Sequence, residues 1–266
     1  MPYIALFLVF VAYPVGFGIW MGSDPALYAE LLDDPIYLKT LVNTALFLGI
    51  AINLKMFLAL LLSGFFIRRG WWAKGLLIVF VLPWAMSSQV AYMSIHWMLD
   101  GDWGLISNIL WHVFGVEDGP HLLIHRWSAL GAVMGSHLWK WLPFWTVILL
   151  AGRAAIPVEV QEAAKLDGAS GWRMFVHVNF PLLANLYLTC TLLATIFALG
   201  EFNPIFFVTG GGPVHSTHML ATLGIRYAID MAQPRLGMAA VFSSLPLLIP
   251  LVVILMRKFK TSQVEL

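Results

Sequence analysis

Six stretches of about twenty apolar residues dominate this sequence and constrain its fold more than any other feature. They run approximately over 3–21, 41–66, 76–99, 127–150, 182–208 and 236–256. At about 1.5 Å per residue each is long enough to cross about 30 Å of hydrocarbon. Inside lipid the backbone must satisfy its own hydrogen bonds, so six such stretches predict an all-α membrane protein with six transmembrane helices. Composition agrees: 60% of the 266 residues are hydrophobic and only 11% are charged, against about 25% charged in soluble domains. The whole chain, 1–266, reads as a single transmembrane domain. Its first stretch lacks a basic leading region and contains Pro14, so it reads as a retained span rather than a signal peptide.

Charge places the loops. Arg68, Arg69 and Lys74, then Arg153, Lys165 and Arg173, then the tail Arg257, Lys258 and Lys260 hold most of the cations. Asp24, Glu30, Asp33 and Asp34, then Asp100, Asp102, Glu117 and Asp118, fall in the alternate loops. By the positive-inside rule the basic loops are cytoplasmic, giving an N-in, C-in topology. Several of the twelve tryptophans, among them Trp71, Trp72, Trp103 and Trp127, fall at span ends, where an indole prefers the headgroup zone.

A net charge of +1 offers no field to attract nucleic acid, and one cysteine, Cys190, excludes an internal disulfide framework. No HExxH, GxSxG or GxxxxGK[ST] motif occurs, so no metal site, catalytic residue or resident cofactor is expected on this chain. His112, His121 and His125 share a polar loop, where a solvated or capping role is expected. Gly210-Gly211-Gly212 reads as a tight turn needing positive φ.

Residues 151–181 between the fourth and fifth spans carry unusual helix punctuation. Pro157 suits a helix start, Val158 to Leu166 can wind as two to three turns, and Asp167-Gly168 supplies a stop. Ser170 then caps a second short helix, ended by Pro181. Ala163 and Ala164 beside Glu162 leave two readings open: a solvated connector, or a surface built for close approach to a partner groove with one carboxylate for a cation.

Three charges fall within spans, where each costs about 2.5 to 3.5 kcal/mol on insertion scales. Lys55 is expected to snorkel or bridge helices, while for Lys140, between Trp139 and Trp141, a snorkelling and a substrate role stay open. Glu201 opens Glu201-Phe202-Asn203-Pro204, where Pro204 can unwind the backbone into a polar cavity lining, or the carboxylate can sit hydrated at the interface. Flat aromatic faces and amides suit a carbohydrate, which makes Trp141, Phe144, Asn185, Glu201 and Asn203 candidates for a substrate path. No arginine lies at depth, so a neutral or weakly charged sugar is preferred.

The string EAAKLDGASGWRMFVHVNFP, Glu162 to Pro181, closely resembles the EAA loop of binding-protein-dependent ABC importer permeases. Glu162, Ala163, Ala164 and Gly168 match its pattern, Asp167-Gly168-Ala169 matches the DGA common in the sugar branch, and Val178-Asn179-Phe180-Pro181 is a variant of its ending. Tyr13-Pro14, Asn43-Thr44, Trp141-Leu142-Pro143-Phe144, Ala151-Gly152 and Ile156-Pro157 also resemble the maltose-type sugar permeases. FFVTGGGPVHST, Phe206 to Thr217, is similar to a segment of their larger-subunit type. The resemblance covers about Pro2 to Met256.

It implies a type I ABC importer permease fold in a bacterial inner membrane. It also implies a sugar or oligosaccharide substrate and alternating access. The expected partners are a homologous second permease in a heterodimer, two ATPase subunits that bind the ATP and Mg, and an extracytoplasmic solute-binding protein. Glu162, Ala163, Ala164, Asp167 and Gly168 would then form a coupling helix gripped by an ATPase. Permeases of this family often carry a basic flank before the first span; its absence here implies a truncated or unusually short start. The residues alone leave a secondary transporter or channel as the alternative, and a membrane-embedded enzyme behind it.

Overall fold

Asp-Pro pairs and glycines punctuate the chain into helices, and the computed structural model describes residues 2–67, 70–116 and 119–264, with side chains at 3–257 within those limits. Among the described residues there are helices and connecting turns and no strand. Helix α1 is Tyr3–Gly22, α2 Pro25–Asp33, α3 Pro35–Phe66, α4 Trp71–Ala85, α5 Ser88–Leu99 and α6 Leu105–Phe114. They are followed by α7 Arg126–Ala154, α8 Val158–Leu166, α9 Gly171–Leu199, α10 Asn203–Val208, α11 Leu220–Ile225, α12 Pro234–Phe242 and α13 Leu245–Val264.

Among the described residues three helices, α1, α3 and α9, are each long and apolar enough to cross a membrane, and counting each of three bent pairs as one span gives up to six. The pairs are α4 with α5, bent by 96°, α7 with α8, bent by 72°, and α12 with α13, bent by 44°. The third predicted span is therefore a broken helix. Pro83 removes one backbone donor near the end of α4, so its last turn holds fewer carbonyls in place and the chain turns at Met86-Ser87. The loop charges Arg68, Arg69, Glu117 and Asp118, and the side chains of Lys258 and Lys260, lie outside the described residues.

The acidic loop after α1 is itself helical. Asp24 accepts from the Ala26 amide at 3.0 Å with Pro25 following it, and Asp34 accepts from the Ile36 amide at 2.7 Å with Pro35 following it. Both carboxylates thus satisfy orphan amides at the starts of α2 and α3.

The chain forms two compact units. One comprises residues 1–46, 96–133 and 199–250, the other 47–95, 134–198 and 251–266. The first is built around Leu31, Tyr37, Leu220, Leu223, Tyr227, Leu236, Ala239 and Ala240, with the Tyr227 hydroxyl donating to Asp34. Helix α1 docks there through Gly18 and Gly22. A Cβ on Gly18 would stand 2.5 Å from Met238, and one on Gly22 2.8 Å from Phe242 and 3.2 Å from the Ala239 amide. Lipid tails give apolar helices no solvent-driven reason to associate, so this close approach is what holds α1. Gly224 and Gly237 do the same for α11 and α12, where a Cβ on Gly237 would stand 2.5 Å from the Gly224 carbonyl. The second unit packs α7 on α9 across Gly152, whose Cβ would meet Leu186 at 2.2 Å.

Replacing Gly22 by valine is expected to lower stability in detergent by about 1–3 kcal/mol through overpacking. An unchanged melting temperature would refute the contact.

Candidate functional site

Helix α8 begins after Pro157 and stops at Asp167, as its punctuation predicts. Gly168 has φ +81, and the turn closes with Gly168 N–H on the Lys165 carbonyl at 3.0 Å and Ala169 N–H on the Ala164 carbonyl at 2.9 Å. Glu162, Ala163, Asp167 and Gly168 are exposed and Ala164 is half-buried, so α8 presents a small-residue face with one carboxylate. Ser170 occupies the position before α9, yet only its backbone carbonyl accepts, from Arg173 and Met174. Pro181 does not end the second helix. A widened π-helical turn, Phe175–Asn179, precedes it and absorbs the amide that proline lacks, so α9 continues to Leu199.

Arg153, at the end of α7, joins the start of α9 to α3 within the second unit. It is 7% exposed, donates to the Leu60 carbonyl at 3.2 Å and Ser63 Oγ at 3.3 Å on α3, and its guanidinium carbon lies 5.7 Å from the Phe175 ring centroid. A displacement of the start of α9 is thus felt by α3 through one rigid, charged fork.

Neither lysine within a span snorkels; Lys55 bridges α3 and α7, one of its two expected roles, and Lys140 caps the break after α4. Lys55 and Lys140 are each 2% exposed. Lys55 Nζ stands 3.0 Å from His137 Nε2. Lys140 Nζ donates to the carbonyls of Pro83 at 2.9 Å, Trp84 at 3.2 Å and Met86 at 2.6 Å. The break after α4 frees carbonyls that have no partner within the helix, and an ammonium with three protons satisfies three of them at once. That demand outweighs the pull of the headgroup zone. Lys140→Met is expected to destabilise the fold by about 2 kcal/mol or more, read as accelerated thermal inactivation; wild-type behaviour would show that the cap carries no weight.

Around Lys140 the predicted path residues form an aromatic cluster. Trp84 stacks on Phe144 at 5.5 Å between centroids, Phe144 meets Trp141 edge-on at 6.2 Å, and His137 lies 6.4 Å from Trp141. The Trp141 indole N–H is buried without a hydrogen-bond partner among the described residues. Trp141 and Phe144 are therefore brought together, with Trp84 as a third ring that sequence reading missed. Its signal was the Pro83-Trp84 pair, which puts an aromatic at the helix break. Asn185 lies exposed on α9. Glu201 and Asn203 belong to the other unit, where the chain unwinds over 200–202 before Pro204 opens α10. This is the interruption that Pro204 predicted.

The glycine-rich segment is a pinned loop. Gly210 and Gly211 have φ +59 and +83, and a Cβ on Gly211 would strike the His218 ring at 2.2 Å. Asn43, fully buried on α3, donates to the Ser216 carbonyl at 2.8 Å and the His218 carbonyl at 2.9 Å, while its own Oδ1 accepts from Arg126 at 3.0 Å. Thr217 Oγ1 donates to the Gly212 carbonyl at 2.6 Å. His215 and His218 stack with ring nitrogens 3.3 Å apart. Burial first, then His215 and Arg226, hold the His218 pKa down to about 4 from an ordinary 6.5.

Between those values the released loop binds a proton that the docked loop excludes. Docking is thus at full strength above pH 6.5 and weakens as pH falls towards about 4, by about 3 kcal/mol in all. Amide exchange over residues 209–219, corrected for intrinsic rate, is expected to quicken on acidification in wild type and to lose that dependence in His218→Gln. Equal pH dependence in both would refute this.

Among the described residues no group of three or more His, Cys, Asp or Glu side chains could hold a metal ion. The family model for binding-protein-dependent transport system inner membrane components matches residues 55–260. A probable ABC transporter permease protein of Pyrococcus horikoshii is 29% identical over 96% of this chain and 94% of its own length. The trehalose/maltose transport system permease protein of Thermococcus litoralis is 36% identical over 58% of this chain and 52% of its own. A solved bacterial alginate ABC transporter, in complex with an alginate pentasaccharide-bound periplasmic protein, contains a chain with a similar fold. It superposes with a TM-score of 0.83 at 18% identity, covering 97% of this chain and 90% of that one.

Proposed function

This chain belongs to the family of binding-protein-dependent transport system inner membrane components, and from that membership we propose that it is the permease subunit of an importer for a sugar or oligosaccharide. The observation that carries the coupling half is the exposed turn of α8. Glu162 offers a carboxylate to a basic residue of an ATPase groove, Ala163 and Ala164 allow the backbone to seat closely, and Gly168 makes the turn. Asp167 completes the stop of α8.

Two such ATPases bind and hydrolyse ATP with Mg; this chain contributes neither catalytic residue nor cofactor site. Their closure pulls α8. The 72° joint with α7 and the Arg153 fork pass that pull to α7, α9 and α3, which alternate between two packings. A homologous permease completes the pathway as a heterodimer, and an extracytoplasmic binding protein delivers the substrate.

A sugar is supported by the chemistry of the cluster and by the relatives' names. Trp141, Phe144 and Trp84 present ring faces to C–H surfaces, and the Trp141 N–H is a donor in want of a hydroxyl acceptor. Asn185, Glu201 and Asn203 are proposed to add amide and carboxylate contacts along the path.

In cells carrying the complete transporter, Glu162→Lys and Gly168→Val are expected to cut uptake at least about tenfold and to release the ATPase on purification, with membrane insertion intact. Valine at positive φ costs about 1–2 kcal/mol and opens the turn. Trp141→Phe, which removes the N–H together with the pyrrole half of the indole and keeps one aromatic ring, is expected to weaken transport about tenfold while leaving the ATPase bound. Undiminished uptake in the α8 variants, or uptake by the purified chain without ATPase, would overturn the proposal.

A further inference from the structure

We propose that the open cavity lined by the end of α1, α2 and the start of α12 binds one aminophospholipid, its phosphodiester on Arg235 and its ammonium on Glu30. The cavity holds about 450 Å³ and lies wholly within the first unit. Its lining joins an apolar part, in which Phe17 and Trp20 on the last turns of a membrane-spanning helix stand with Met21, Leu27 and Leu236, to the polar side chains of Glu30, Gln233 and Arg235. A phospholipid carries the same two chemistries, and α1 ends at Gly22 with α2 beginning at Pro25, where a headgroup zone is expected.

The apolar part continues as a track. Tyr13, Phe17 and Trp20 form a ladder along one side of α1, with ring centroids 6.2 and 5.6 Å apart, and all three are exposed. From Tyr13 to Trp20 this surface runs about 10 Å down the span, a length suited to an acyl chain and of no use to a sugar, which would face hydrocarbon there.

The polar side chains select the headgroup. The Arg235 guanidinium carbon stands 5.5 Å from the Trp20 ring centroid, so the fork is held in place. Among the described residues neither Arg235 nor Glu30 forms an ion pair, although both line the same cavity. A phosphodiester satisfies the first and a primary ammonium the second. An anionic headgroup without the ammonium would still pair its phosphate with Arg235 but would leave the Glu30 carboxylate without a cation.

The test uses the chain in its complete complex, reconstituted in discs containing phosphatidylethanolamine and phosphatidylglycerol in equal amounts and then released into native mass spectrometry. Wild type is expected to retain phosphatidylethanolamine. Arg235→Ala is expected to lower that retention about tenfold, and Glu30→Gln to keep phospholipid but lose the preference between the two classes. Both side chains are exposed, so folding and complex assembly serve as controls. Equal retention in all three proteins, or a wild-type preference for phosphatidylglycerol, would overturn the proposal. So would a cavity filled by sugar or by a neighbouring subunit with no lipid bound. Inorganic phosphate, added alone to delipidated complex, is expected to give no thermal shift; an Arg235-dependent shift would mark a site for free anions and overturn it too.

Discussion

A helix break or loop packed among apolar helices leaves backbone groups in need of partners, and the fold meets that demand with buried polar side chains. Lys140 meets it where α4 breaks, by donating to three carbonyls. Asn43 meets it for the loop 209–219, joining two carbonyls with its amide and Arg126 with its oxygen. A cation and an amide buried among apolar helices look costly when read singly. Each is cheap once the carbonyls it serves are counted, because the alternative is several unsatisfied acceptors in a low-dielectric interior.

The same economy explains where the chain stays small. Gly18, Gly22, Gly224 and Gly237 let α1, α11 and α12 approach closely where apolar side chains would gain nothing over lipid. Larger residues gather elsewhere, in the cluster of Trp84, Trp141 and Phe144 and in the row from Tyr13 to Trp20.

The helix–turn element over residues 151–181 was legible because its signals are local. A proline before α8, alanines beside Glu162 and a glycine at positive φ depend on neighbours within a few residues, so its first helix was readable to the residue. Its second helix was misjudged at Pro181, because a π-helical turn relieves the proline constraint and leaves no mark in composition. The interruption at 200–202 was readable from Pro204 for the same local reason.

The sequence by itself determined the class: apolar runs of spanning length admit only helices, and charge asymmetry together with the EAA-like string pointed to an importer permease. Only the tertiary structure decided what the lysines do. The sequence leaves Lys55 between snorkelling and bridging helices and Lys140 between snorkelling and a substrate role, because their partners lie 82 and 54 to 57 positions away in the chain. Whether a buried charge is a burden or a cap depends on which carbonyls the fold brings to it, and that is a property of packing, with no period or motif to announce it.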